Sequence, residues 1–247
     1  MKRLILAITF LTRIPLPVSK DVTSEEIGRS MPFFPLVGLL IGLILIGIDR
    51  SLSYLWPPVV INVALFVSLV AITGGLHLDG LMDTCDGIFS GRDRDRVLEI
   101  MRDSRVGAFG VLGAICVAAM KIALLNALHG DLRWAGLLLF PMLGRWSMVM
   151  AITFFPYARE SAGLGTPFTE FATKRYILWA TLPVLAVSIP ILLWWIIPLL
   201  AAVSCATWLI GKWISRKIGG LTGDNYGAIC EVTETLLLMI MAVVIKS

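Results

Sequence analysis

Residues 58–87 read PVVINVALFVSLVAITGGLHLDGLMDTCDG, an apolar run that leads into three aspartates. The apolar part, residues 58–76, is long enough to cross the hydrocarbon core of a bilayer as a helix. The sequence therefore predicts a membrane helix that places Asp79, Asp83 and Asp86 at the edge of the membrane.

The composition of the whole chain supports the same class of protein. Apolar and aromatic residues make up 57% of the 247 residues, charged residues make up 15%, and the mean hydropathy is +0.87. Because a water-soluble fold of this size cannot bury so much apolar surface, we predict an all-α, polytopic integral membrane protein. It forms a single domain, residues 1–247, with about seven transmembrane helices. The predicted spans are 33–48, 58–76, 107–126, 135–155, 177–196, 198–213 and 232–245.

The distribution of charge predicts the orientation. If the amino terminus lies in the cytoplasm, sixteen of the 21 basic residues face inward, and only Arg50, Arg133 and Lys246 face outward. This asymmetry follows the positive-inside rule. Nearly all the acidic residues fall on the same inner side, so we expect a carboxylate-lined site at the cytoplasmic edge.

The three aspartates are spaced for one face of a helix. At about 100° per residue, Asp79, Asp83 and Asp86 fall within an arc of roughly 60°. Their mutual repulsion near a low-dielectric layer favours either protonation or a bound cation, and oxygen ligands of this kind favour magnesium. The alternative is a solvated helix start with acids near the positive end of the dipole.

A second group of acids lies near the carboxyl terminus. Asp224 and Glu231 are seven residues apart and predict another carboxylate face, with Glu234 close by. Two such helices facing each other could hold one or two magnesium ions, although the glutamates could equally mark the mouth of the last helix. The glycine-rich segment 219–227, which contains Gly223, is predicted to be a loop whose backbone approaches a ligand.

Basic residues between the two acidic groups predict a phosphate-binding element. Arg102, Asp103 and Arg105 precede Gly107 at the start of a predicted span, where guanidinium groups and helix amides could bind a diphosphate. His77 could be a general base, a metal ligand or a structural residue. Lys121 lies within a predicted span, and no carboxylate is predicted at its depth.

Several motifs together resemble the cobalamin synthase family, the adenosylcobinamide-GDP ribazoletransferases. They are HLDGLMDTCDG at 77–87, RDR at 94–96, MRDSRVG at 101–107, FLTRIPLP at 10–17 and GLTGD at 220–224. The resemblance implies a multi-pass enzyme of the cell inner membrane that requires magnesium. It joins adenosylcobinamide-GDP to α-ribazole or α-ribazole 5'-phosphate and releases GMP.

The residues expected to carry this reaction fall into three groups. The predicted metal ligands are Asp79, Asp83, Asp86, Asp224 and Glu231. The predicted substrate-binding residues are Arg102, Asp103, Arg105 and Gly223, and the predicted catalytic residues are His77 and Asp86. The expected partners are the two substrates and membrane lipid, and no nucleic acid. The sequence is compatible with both a monomer and a homo-oligomer.

Two other functions are compatible with a membrane-edge carboxylate cluster. One is a CDP-alcohol phosphotransferase, which exchanges an alcohol for a nucleotide, although the aspartate spacing differs from the pattern of that family. The other is a cation-coupled transporter. The clustering of the acids at one face, with no carboxylate predicted in the middle of a span as in a proton relay, argues against the transporter.

Overall fold

The computed structural model describes residues 2–19, 21–159, 163 and 165–244. Lys20 and Lys246, which enter the charge count, and position 245 of the last predicted span lie outside the described residues. The described residues form helices joined by loops, with an isolated bridge between Tyr157 and Leu221 and no named strand among them. The all-α prediction is therefore confirmed.

Twelve α-helices follow one another along the described chain. Short 3-10 turns at Met31–Phe33 and Leu193–Trp195 precede the third and the eleventh. The helices are α1 Lys2–Leu11, α2 Ser24–Gly28, α3 Phe34–Leu52, α4 Pro58–Thr73, α5 Leu76–Phe89, α6 Arg94–Ile100, α7 Ala108–Ala127, α8 Gly130–Phe154, α9 Thr166–Glu170, α10 Lys174–Leu192, α11 Ile196–Ile218 and α12 Gly223–Val244.

The number of membrane spans differs from the predicted seven. Among the described residues, five helical stretches are long and apolar enough to cross a membrane, or six if the bent pair α4–α5 is one span. Helices α10 and α11 run on as one stretch of 45 residues, whereas the sequence predicts two separate spans there. The polytopic architecture is confirmed, but the count of seven is not.

Helices α8 and α12 form the centre of the bundle. They are the most buried of the candidate spans; α3, α10 and α12 pack on α8, and α5, α7 and α11 pack on α12. By contrast, α7 exposes a largely apolar surface that includes Phe109, Leu112 and Ile115, as expected of a helix that faces lipid.

Small residues allow α3 to approach α8 closely. A Cβ atom on Gly38 would lie 2.5 Å from the Cα of Met142, and one on Gly42 would lie 2.8 Å from the carbonyl oxygen of Leu137. These positions therefore admit only glycine without a backbone shift. Close helix packing is the role that small residues at this spacing usually have in membrane proteins.

An ion pair identifies one end of the bundle. Arg133, at the start of α8, donates to the carboxylate of Asp49 on α3 at 2.6 Å and to the side chain of Asn62 on α4 at 2.8 Å. Arg133 and Asp49 are both predicted to face outward, and the contact places them at the same end.

Candidate active site

Two glycines turn the chain into the aspartate helix. Helix α4 ends at Thr73, and Gly74 and Gly75 follow with φ angles of 64° and 71°. Residues with a Cβ rarely adopt this left-handed conformation, so the pair ends one helix and begins the next at an angle of 91°. The bend sets α5, with its three aspartates, across the direction of α4.

Helices α5 and α12 cross at very short range, which brings the two acidic groups together. A Cβ on Gly80 would lie 2.7 Å from the backbone oxygen of Asp224, and one on Gly227 would lie 3.0 Å from the backbone oxygen of His77. The Asn225 side chain also donates to the Thr84 hydroxyl at 2.9 Å. The crossing therefore fixes Asp224 against α5.

The carboxylates at this crossing interact with one another. The Asp83 side chain is half-buried and lies within electrostatic range of Asp79, Asp86 and Asp224, as well as of the guanidinium group of Arg159. The structure thus brings the two acidic groups together through Asp224. Four carboxyl groups at this range favour either protonation of some of them or a bound cation.

Asp86, predicted to be a metal ligand, has both carboxylate oxygens occupied by hydrogen bonds from the backbone. Its two carboxylate oxygens accept hydrogen bonds from the backbone amides of Gly107 at 2.7 Å and Gly110 at 2.8 Å. A Cβ at either glycine would overlap the carboxylate. Asp86 therefore caps the amino terminus of α7 from a neighbouring helix, where the helix dipole favours its charge.

Arg159 is a site residue that the sequence analysis did not single out. It follows α8 and donates to Asp224 at 2.8 Å, while the Thr222 hydroxyl donates to the same oxygen at 3.2 Å. In the sequence, Arg159 is one of many basic residues on the predicted cytoplasmic side, and only the tertiary contact distinguishes it.

A basic groove of about 530 Å³ adjoins this pair. Arg94, Arg102 and Arg159 line it together with Asp95 and Glu99. The groove gives three guanidinium groups that can bind phosphate oxygens. Through Arg159 it connects directly with the carboxylates.

Arg102 and Arg105 have different positions. Arg102 lines the groove, whereas the exposed side chain of Arg105 donates to Asp103 at 2.6 Å. These hydrogen bonds from Arg105 lower the pKa of the Asp103 carboxyl to about 2. The structure therefore brings Arg102 to the groove but places Arg105 and Asp103 in a local surface pair.

A cavity of about 100 Å³ opens on the other side of Asp224. Asp79 and Asp224 contribute its charged groups, and Gly223 lines it at the first residue of α12. The predicted loop is therefore wrong from residue 223 onward, because α12 begins there. The other lining residues are Phe10, Phe34, Leu76, His77, Met148, Ile152, Gly165, Phe168, Tyr226 and Gly227.

Glu231 has a partner that the sequence analysis excluded. The buried ammonium group of Lys121 donates to Glu231 at 2.7 Å and also to Glu234, and Arg145 donates to Glu234 as well. The prediction that no carboxylate lies at the depth of Lys121 is therefore wrong. Its cause is that α12 begins at Gly223 and carries both glutamates into the bundle.

This buried cluster also corrects the argument about transporters. Carboxylates do lie inside a candidate span, but two cations balance the charges of Glu231 and Glu234. Buried charges paired in this way stabilise a fold only as a complete set. Glu231 also lies about 10 Å along the helix axis from Asp224, at 1.5 Å per residue.

His77 is buried between this cluster and the cavity. Its Nδ1 lies 3.0 Å from the guanidinium group of Arg145, and because arginine can only donate, Nδ1 must be the acceptor. The ring hydrogen of a neutral imidazole then sits on Nε2, which has no partner among the described residues. His77 thus offers a hydrogen-bond donor rather than a free basic nitrogen.

The donor atoms of the site fit magnesium only in part. Among the described residues, no three His, Cys, Asp or Glu side chains form a complete metal-binding group. Asp86 and Asp224 already accept hydrogen bonds. Asp79 and Asp83 lie one turn apart beside Asp224, and magnesium commonly uses one or two carboxylates with water and substrate phosphate. These two residues fit that pattern.

Comparisons with known proteins agree with the motifs. The family model described as cobalamin-5-phosphate synthase matches residues 3–242. The adenosylcobinamide-GDP ribazoletransferase of Acetivibrio thermocellus is 42% identical over 240 residues, which cover 97% of each chain. The protein of the same name from Herpetosiphon aurantiacus is 39% identical over 246 residues, covering 100% of this chain and 98% of the relative. No solved structure matches. The chain belongs to the cobalamin-5-phosphate synthase family.

Proposed function

We propose that this protein transfers the adenosylcobinamide phosphate group of adenosylcobinamide-GDP to a hydroxyl of α-ribazole or α-ribazole 5'-phosphate, with release of GMP. The relatives that cover nearly the whole chain are named for this transfer. The observation that carries the proposal is the 2.8 Å contact between Arg159 and Asp224. It joins an arginine-lined groove, suited to a diphosphate, to a carboxylate cluster.

The groove binds the donor in this proposal. The diphosphate of adenosylcobinamide-GDP carries negative charge along its length, and Arg94, Arg102 and Arg159 supply positive charge along the groove. Arg94 is held in place because it donates to the backbone oxygens of Ile218 at 3.0 Å and Ala158 at 3.1 Å. Binding energy from these contacts positions the phosphorus next to the carboxylates.

The carboxylate cluster accepts the proton. The hydroxyl oxygen of the acceptor forms a bond to the phosphorus that carries cobinamide, and the bond from that phosphorus to the GMP oxygen breaks. The hydroxyl proton passes to a carboxylate of the cluster, of which Asp79 and Asp224 both line the cavity. His77 is less suited because Arg145 occupies its acceptor nitrogen.

Magnesium is part of the proposal. Asp79 and Asp83 would hold it, and when bound it neutralises phosphate oxygens and favours departure of GMP. We leave Glu231 out of this set because Lys121 neutralises it. Asp86 supports the site indirectly by fixing α5 to α7.

We also propose that the protein lies in the cell inner membrane with the groove and cavity facing the cytoplasm. The charge asymmetry of the sequence supports this orientation.

A direct assay tests the proposed activity. Purified protein in lipid vesicles is incubated with adenosylcobinamide-GDP, α-ribazole and magnesium, and GMP is measured by chromatography. We expect GMP and the joined corrinoid in equal amounts, loss of both with chelator, and a large loss with Asp83→Asn. Asp131→Asn, an exposed residue at the predicted outer end, should leave the rate unchanged. Absence of GMP from correctly folded wild-type protein would refute the proposal.

A further inference from the structure

The cavity beside Asp79 and Asp224 has walls unlike the rest of the site. Three aromatic rings form a cluster there: the ring centroids of Phe10 and Phe168 are 4.7 Å apart, and those of Phe34 and Phe168 are 5.2 Å apart. Met148 and Ile152 from α8 complete an apolar wall. Such a wall favours a flat apolar group over a charged one.

Two buried hydrogen-bond donors interrupt this apolar lining. His77 and Tyr226 line the cavity, and each is only 2% exposed. Neither Nε2 of His77 nor the hydroxyl of Tyr226 has a hydrogen-bond partner in the described part of the chain. Leaving a buried donor unpaired is unfavourable, so two such donors at one cavity point to a ligand with acceptor atoms.

The two donors and two carboxylates line the same cavity. His77 and Asp79 come from α5, and Tyr226 and Asp224 come from α12. A ligand in the cavity can therefore contact a donor and a carboxylate at the same time.

We infer that this cavity is the subsite for the acceptor, with its aromatic base against the apolar wall, and that one of His77 and Tyr226 donates to the free ring nitrogen of the base while the other donates to an oxygen of the attached ribose. This inference rests on the proposed function. A dimethylbenzimidazole riboside has a flat apolar base, one ring nitrogen with a free lone pair and no ring N–H group. It matches an aromatic wall that carries hydrogen-bond donors.

The other parts of the substrates match the cavity less well. A corrin ring with its side chains is several times larger than a fused-ring base and does not match so small a cavity. Guanine has N–H groups along its edge that need acceptors, and among the cavity side chains only Asp79 and Asp224 could accept them, which the proposed function assigns to the reacting groups. The donor is better accommodated in the basic groove on the far side of the Arg159–Asp224 pair.

Equilibrium binding of radiolabelled α-ribazole, without donor or magnesium, tests the subsite apart from turnover. We expect Tyr226→Phe to weaken this binding about three- to ten-fold, the range of one neutral hydrogen bond. His77→Gln, which keeps a donor group, should weaken it less than His77→Leu. Tyr176→Phe makes the same chemical change in a different groove and should have no effect.

An acceptor analogue adds an independent test. Replacing the free ring nitrogen of the base by CH removes the lone pair, so wild-type protein should bind the analogue several-fold more weakly than α-ribazole. If the ring N–H of His77 contacts the nitrogen, His77→Leu should reduce that difference. If the hydroxyl of Tyr226 contacts it, Tyr226→Phe should do so. In steady-state assays both variants should raise the KM for α-ribazole while the KM for adenosylcobinamide-GDP stays the same.

The outcomes separate the subsite from the proposed function. If wild-type protein releases GMP but all the variants bind α-ribazole and its analogue as wild type does, the subsite is wrong and the activity stands. A rise confined to the KM for adenosylcobinamide-GDP would assign the cavity to the donor and also overturn the inference. If wild-type protein neither binds α-ribazole nor releases GMP, both proposals fail.

Discussion

Asp86 on α5 and Gly107 at the start of α7 are joined by a 2.7 Å hydrogen bond from the glycine amide to the carboxylate. With the second bond from Gly110, this contact ties the aspartate helix to its neighbour. The position of Asp83 and Asp79 therefore depends on a residue of the same motif whose own oxygens are already engaged.

Asp86→Asn should lower stability more than it alters metal dependence. Asparagine keeps one acceptor oxygen but loses the charge at the helix amino terminus, which costs about 1–2 kcal/mol. The melting temperature in detergent should fall, while Asp79→Asn should leave it unchanged or raise it by relieving repulsion. If Asp86→Asn instead leaves the melting temperature intact and shifts the magnesium requirement, Asp86 is a metal ligand as the sequence predicts.

Arg159 and Arg105 provide a matched pair for donor binding. Arg159→Lys keeps the charge but loses the planar fork that can contact both Asp224 and phosphate, so the KM for adenosylcobinamide-GDP should rise about ten-fold or more. Arg105→Lys should have little effect, because Arg105 is exposed and paired with Asp103. Measuring the KM of each variant for both substrates shows which arginine binds the donor. If only Arg105→Lys raises the KM for adenosylcobinamide-GDP, Arg105 contacts the phosphate and Arg159 does not.

The buried charges should depend on one another. Lys121→Met leaves Glu231 without its cation and Glu234 with only Arg145, so it should destabilise the protein by about 3–5 kcal/mol. The double variant Lys121→Met with Glu231→Gln should recover much of that loss, as measured by thermal unfolding in detergent. Lys174→Met, at an exposed lysine, is the control. Additive losses in the double variant would contradict a coupled cluster.

Thiol labelling checks the orientation. The native Cys116 and Cys205 are exposed on helix surfaces and are first replaced by alanine, whereas Cys85 and Cys230 are buried. A cysteine at Asp131 should react with an impermeant reagent in intact cells, and one at Asp95 should react only after lysis. Labelling of position 95 in intact cells would contradict the proposed orientation.

The sequence predicts the helical membrane fold, the shared face of the three aspartates and the partnership with Asp224. These features follow from apolar length and helical spacing, which are local properties. The sequence does not predict that Asp86 caps α7 or that Arg159 contacts Asp224, because both depend on which helices become neighbours. The error at Lys121 has a different cause: the glycines from 219 to 227 indicate a loop, and so hide that Glu231 and Glu234 lie on a buried helix.

The last helix supplies both the counter-ions of the buried cluster and one acid of the site. During synthesis, Lys121 and Arg145 are made before Glu231 and Glu234, so until α12 has been made neither cation has these partners. Unpaired cations at that depth are costly. Assembly of the catalytic end must therefore await synthesis of α12, and a chain cut short before that helix would contain two buried cations without these carboxylate partners.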